Sequence, residues 1–168
     1  MMKYFFSIAA ISLALVIISC SKDSGCPYSE PVKVASAGEI DYLQNYVTTN
    51  AISATQHSSG IFYTILQNGS NAAPNICSVI TAKYKGSLLS NGAVFDSTAS
   101  NSVLKIELGR LIEGWQRGLP LIRETGKITL YIPPSLGYGA QIAYDNNGNV
   151  LIPANSYLKF EIELVDTE

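Results

Sequence analysis

The sequence predicts an α+β domain: one curved antiparallel β-sheet wrapped around a single short helix, with a helical extension before it. Two observations carry this. First, four stretches alternate apolar and polar residues with a period of two. Ile80, Ala82, Tyr84 and Leu88 oppose Thr81, Lys83 and Lys85; Leu104, Ile106 and Leu108 oppose Lys105 and Glu107. Ile128, Leu130 and Ile132 repeat the pattern, and Leu158, Phe160, Ile162 and Leu164 oppose Lys159, Glu161 and Glu163. Such alternation buries one face of a strand and wets the other, which antiparallel sheets allow. Second, the period breaks once, between Ile112 and Leu121, where Trp115, Gly118 and Pro120 leave room only for a brief helix.

The remaining elements follow in chain order. Tyr4 to Ile18 is an apolar run of about fifteen residues behind a charged start. It is short for a bilayer span, which takes about 20 residues, so residues 1–19 read as an export signal. The run ends Ile17-Ile18-Ser19-Cys20, followed by Ser21-Lys22-Asp23. That junction resembles the lipobox of bacterial lipoproteins, in which the cysteine is acylated; an ordinary signal peptide with an incidental cysteine is the alternative. Lipidation at Cys20 would anchor the chain to the outer membrane of the cell envelope, at about 0.8 kcal/mol per buried methylene. Residues 20–35, with Pro27 and Pro31, read as a tether. Export also means that Cys26 and Cys77 meet an oxidising compartment. With Cys20 acylated they are the one possible disulfide pair among the three cysteines, although spacing alone leaves two separate thiols open.

Ser36 with Glu39 three residues on has the form of a capping box. Ile40, Leu43, Tyr46 and Val47 recur at helical spacing, which predicts a helix over 38–49 inside an N-terminal extension of 36–59. The loop 50–60 leads into the main domain, 60–168, whose first strand alternates Ile61, Tyr63 and Ile65. Asn91-Gly92 is a hairpin turn before a strand at Val94–Asp96. Residues 133–156 form a long loop, and loops of that length in compact domains are usually functional.

Composition excludes several functions. A chain that is 47% hydrophobic and 14% charged can bury a real core. The net charge of −2 without a basic run excludes nucleic acid. His57, the single histidine, stands in the polar loop Thr55 to Ser59 and reads as solvated. There is no Gly-x-Ser-x-Gly elbow and no phosphate-binding glycine loop, and the carboxylates are scattered. The cysteines and the histidine lack metal-ligand spacing, so neither metal nor cofactor is expected. What remains is an apolar set, Tyr84, Leu104, Trp115 and Phe160, with Val94-Phe95-Asp96 ending a strand. These residues are either core or the lining of a pocket. Asp96 favours the pocket, since a carboxylate near a core needs a partner.

At this point a family resemblance enters. Tyr84-Lys85-Gly86, then Asn91-Gly92-x-x-Phe95-Asp96-Ser97, resembles the Tyr-x-Gly…Gly-x-x-Phe-Asp-Ser run of the FKBP-type peptidyl-prolyl cis-trans isomerases. Leu108-Gly109 with Ile112-x-Gly114-Trp115-x-x-Gly118-Leu119 resembles the family's central helix. Ile132-Pro133, Leu136-Gly137-Tyr138-Gly139, Ile152-Pro153 and Leu158-x-Phe160-x-Ile162-x-Leu164 resemble its closing segment. The resemblance spans about residues 60–166, in order and at near-family spacing.

The resemblance implies an active site between sheet and helix. Trp115 would floor the pocket under the prolyl ring, and Tyr84, Phe95, Leu104, Leu111, Ile112, Ile152 and Phe160 would wall it. Asp96 would stand beside the reacting amide, with the Tyr138 hydroxyl and the Ile112 amide binding substrate carbonyls. It implies proline-containing polypeptides as substrates and FK-class macrolides as inhibitors. Three positions depart from the family pattern. Leu104 stands where many members have Phe, 98–101 lacks the Arg that partners the aspartate in some members, and the loop 140–150 is longer. A binding module or chaperone that keeps the fold without the activity is the rival reading. The predicted extension helix is short, so a monomer is expected.

Overall fold

The structure, a computed structural model, describes residues 25–168. The export signal and Cys20 lie outside the described residues. A helix α1 (Ala37–Thr49) is followed by strands β1 (Thr55–Gln56), β2 (Phe62–Gln67), β3 (Val79–Leu88), β4 (Val94–Ser97) and β5 (Leu104–Glu107). Helix α2 (Glu113–Gly118) precedes β6 (Lys127–Ile132), β7 (Ala143–Tyr144), β8 (Val150–Ile152) and β9 (Leu158–Thr167). The main sheet is antiparallel, in the order β1-β2-β6-β9-β3-β4, with β5 also paired to β3.

Strand β3 organises the site. One edge pairs with β9 from Ile80–Thr167 to Leu88–Leu158. The other edge is shared in tandem, Val79–Ala82 with β5 and Lys85–Ser87 with β4. Tyr84 falls in the gap between the two partners. Thr98 closes it, its N–H donating to the Tyr84 carbonyl at 3.1 Å and its Oγ1 accepting from the Tyr84 N–H at 3.1 Å. The strand thus stays regular where its side chain enters the site.

Helix α2 lies directly on β6 because the two positions that meet Ile132 and Leu130 are glycines. A Cβ on Gly114 would stand 2.5 Å from Ile132 Cδ1, and one on Gly118 would stand 2.5 Å from Leu130 Cδ1. This close approach lets Trp115, 3% exposed, enter the main core beside Phe160.

The structure corrects four expectations. Strand β6 is buried on both faces from Ile128 to Ile132, so simple alternation fails there. The cause is α1, whose Leu43 and Val47 pack on the back of the sheet against Phe62, Leu89 and Tyr131. The loop 50–60 contains β1, which pairs Thr55 and Gln56 with Tyr63 and Phe62. The loop 133–156 contains a 3-10 turn (Pro134–Leu136) and the β7–β8 hairpin, turned by Asp145 Oδ1 accepting the amides of Asn147 and Asn149. His57 is half-buried, its Nδ1 accepting from the Ser59 N–H at 3.1 Å, and burial holds its pKa below the ordinary value. Among the described residues no helix is long and apolar enough to cross a membrane.

The capping box of α1 forms as the sequence predicts. Glu39 Oε2 accepts from the Ser36 N–H and hydroxyl, each at 2.9 Å, and Oε1 accepts from the Ser135 N–H at 2.8 Å. Partial burial works against the Glu39 charge, but these hydrogen bonds outweigh it and hold the carboxyl below its ordinary 4.5. The stability so gained is present above the ordinary value and is lost as pH falls through the lower folded value. Melting temperature should therefore drop with acid more steeply in the wild type than in Glu39→Gln. Parallel acid limbs would exclude Glu39 as the titrating group.

Candidate active site

A cavity of about 190 Å³ opens between α2, β3 and the loop that carries Tyr138. Trp115 floors it, with the rings of Tyr84 and Phe160 edge-on at centroid distances of 5.4 and 5.3 Å. This is the arrangement that aromatic quadrupoles favour. Leu104, Leu111 and Ile112 supply aliphatic walls, and Asp96, Arg110 and Tyr138 supply the polar rim.

The rim is ordered by hydrogen bonds. The Tyr84 hydroxyl donates to Asp96 Oδ2 at 2.5 Å, so the exposed carboxylate is fixed from the cavity side. Burial, and then this bond, push the Tyr84 phenol well above its ordinary 10.0. Burial also raises Tyr138, and the negative charge of Asp96 adds to it. Both phenols are therefore protonated at neutral pH, and Tyr138 can donate. Ile112 caps α2 in an extended conformation, its carbonyl taking the Trp115 and Gln116 amides. Among the described residues its own N–H has no hydrogen-bond partner. Gln116 holds this turn, its Nε2 donating to the carbonyls of Gly109 and Leu111 at 3.1 and 2.7 Å.

Of the residues singled out from sequence, Tyr84, Asp96, Leu104, Leu111, Ile112, Trp115, Tyr138 and Phe160 meet around this cavity. Phe95 stands behind it, edge-on to Phe160 at 5.6 Å, and Ile152 is buried in the core on β8. Gly86 makes the Phe95 packing possible, because a Cβ there would stand 2.7 Å from both the Phe95 and Phe160 rings. Arg110 was missed from sequence, although it directly precedes Leu111-Ile112 in the turn. Among the described residues no group of three His, Cys, Asp or Glu could hold a metal. The site offers an aromatic slot, two hydrogen-bond donors and a carboxylate fixed by Tyr84. That equipment suits holding a ring and its flanking carbonyls rather than covalent chemistry.

A sequence model of the FKBP-type peptidyl-prolyl cis-trans isomerases matches residues 70–165. The chain belongs to this family. It is 39% identical over 130 residues to the FKBP-type peptidyl-prolyl cis-trans isomerase FkpA of Buchnera aphidicola (subspecies Acyrthosiphon pisum), covering 77% of this chain and 50% of that one. The crystal structure of FkpA from Escherichia coli superposes with a TM-score of 0.65 at 32% identity, covering 79% of this chain and 58% of that one. AtFKBP13 superposes with a TM-score of 0.61 at 33% identity, covering 69% of this chain and 99% of that one. The chain spans about half the length of the curated relatives it matches. Within this FKBP-type domain the cavity lies where the sheet, α2 and the Tyr138 loop converge.

Proposed function

We propose that this protein accelerates cis-trans rotation about X-Pro bonds in exported polypeptides, and that the cavity floored by Trp115 is where it does so. The observation that carries this reading is the aromatic slot of Trp115, Tyr84 and Phe160 flanked by the Tyr138 hydroxyl and the Ile112 N–H. An amide resists rotation by about 18–20 kcal/mol because resonance gives its C–N bond double character. The twisted amide is less polar than the planar one, so a dry pocket favours it relative to water. The slot holds the prolyl ring, and the two donors hold the chain on either side. No covalent intermediate is needed. A protease-coupled assay on an apolar-X-Pro peptide should show acceleration. A folded sample giving only the uncatalysed rate would overturn the reading in favour of a binding module. The same pocket should take an FK-class macrolide, with loss of turnover.

Asp96 is proposed to act near the twisting amide through its field or a hydrogen bond. One lost transition-state interaction of the oxyanion type costs about 2–4 kcal/mol. The rotating amide gains no full charge, so Asp96→Leu should cost about 1–2 kcal/mol, or roughly tenfold in turnover. Its exposure leaves the core intact, and melting should change little. Unchanged turnover at unchanged stability would remove Asp96 from the mechanism.

The finer localisation rests on sequence. We propose residues 1–19 as a lipoprotein signal, Cys20 as the acylated residue and 20–35 as the tether that holds a monomeric domain at the outer membrane. Cys20→Ser should yield exported protein that a salt wash releases from membranes. A mutant that still sediments with them would count against the anchor. The facing sulfurs of Cys26 and Cys77, with Cα atoms 5.6 Å apart, support a disulfide between the tether and the domain.

A further inference from the structure

The N-terminal helix is tied to the loop that carries Tyr138 through one peptide unit. Pro134 and Ser135 share it. Its carbonyl, on Pro134, accepts from the amides of Gly137 at 3.0 Å and Gly139 at 2.8 Å, the two residues that flank Tyr138. Its N–H, on Ser135, donates to Glu39 Oε1 at 2.8 Å. A trans peptide is planar with its N–H and C=O opposed, so whatever fixes one fixes the other. The second carboxylate oxygen of Glu39 is held by the Ser36 N–H and hydroxyl at the α1 cap. Helix α1 is in turn seated on the sheet by Leu43 and Val47, both buried. A charged acceptor also polarises the peptide it binds, which strengthens the bonds at its far end.

We infer that Glu39 is a positioning residue for the Tyr138 hydroxyl, acting through the Pro134–Ser135 peptide, and that α1 is part of the catalytic unit. Glu39 touches no substrate. Its effect is on the geometry of the loop that presents Tyr138. The inference rests on the proposed isomerase function, and one arm of its test does not.

The experiment is a double-mutant cycle on the full chain, with Glu39→Ala, Tyr138→Phe and both together, read as kcat/KM on an X-Pro peptide. Coupled residues give non-additive losses. Glu39→Ala should lower kcat/KM about threefold to tenfold in the wild-type background, a scale expected when a binding group is misplaced, and should add nothing in the Tyr138→Phe background. Glu39→Gln keeps an acceptor oxygen and should recover most of the loss. Thr64→Val breaks a hydrogen bond to the Ser53 carbonyl and none to Glu39 or the Tyr138 loop, and should lower melting temperature with kcat/KM unchanged. Equal losses in both backgrounds, or a Glu39→Ala effect confined to melting, would overturn the inference. The second arm is independent of turnover: the Tyr138 ring resonance in tyrosine-labelled protein, assigned by its disappearance in Tyr138→Phe. It should shift in Glu39→Ala and stay put in Thr64→Val. If the wild type proves inactive, the function fails while this arm still decides the coupling, and an unmoved Tyr138 resonance overturns it.

Discussion

Breaking the Cys26–Cys77 bridge is expected to lower the unfolding free energy by about 4 kcal/mol, the chain-entropy value for a loop of this size. The two cysteines are 51 residues apart in sequence, and the loop they close holds α1, β1 and β2. Such a bridge would confine that whole stretch in the unfolded chain. Two residues beyond Cys26, Tyr28 donates to Glu107 Oε2 and lays its ring on Gly109. A Cβ on Gly109 would stand 2.2 Å from that ring, so the segment lies tight against the turn leading to Leu111. Domains of this kind are stable by about 5–15 kcal/mol in total, so such a loss is large. Urea unfolding with and without reductant measures it, alongside Cys26→Ser/Cys77→Ser. Equal midpoints, or two free thiols titrating in the unfolded and unreduced protein, would dismiss the bridge.

How far the fold was legible follows from how local each signal is. Strand β9 alternates buried and half-buried residues from Leu158 to Leu164, because one face meets the main core and the other is left to Lys159, Glu161 and Glu163. The sequence announces such a strand directly. Strand β6 carries the same apolar set, yet Thr129 and Tyr131 are buried too. Nothing within β6 states this, since the cover over Tyr131 comes from Leu43 and Val47 more than eighty residues earlier. The capping box of α1 was readable because both its partners lie within four residues. The reach of Glu39 to Ser135 was not, because it spans 96 residues. The hairpin β7–β8 escaped notice because strands of two and three residues are too short for a period. It is made by the side chain of Asp145 closing a turn.

The site was legible through its motifs more than through its pattern. Trp115 and Phe160 look like ordinary core residues, and both are buried. Asp96 was the residue that did not fit a core, and its Tyr84 partner supplies the reason it stands there. Arg110 has no apolar period and no motif of its own. Its place on the cavity follows from the 3-10 turn Leu108–Arg110, which is positioned by contacts distant in sequence: the pairing of β5 with β3, and the Leu108 and Gly109 amides donating to the Ser78 and Ile76 carbonyls.

Trp115→Ala is expected to be the most damaging single change in the domain. The indole is 3% exposed and touches Tyr84 and Phe160 edge-on. Removing a buried Trp costs about 3–5 kcal/mol, part transfer and part cavity. Glycines at 114 and 118 worsen this, since α2 already sits as close to β6 as it can and has no room to collapse into the space. Against a stability of about 5–15 kcal/mol, the variant should fold at low temperature and melt far below the wild type. On the proposed reading turnover should fall further than stability explains, because the void would open under the prolyl ring and admit water beside the twisting amide. Trp115→Phe separates the two effects. It keeps an apolar aromatic floor and a smaller void, so it should recover most of the stability and only part of the turnover. Both variants should be assayed at a temperature where circular dichroism shows each fully folded. If Trp115→Ala, folded, turned over the X-Pro peptide at the wild-type rate, the indole would be a packing residue and the reacting bond would lie elsewhere.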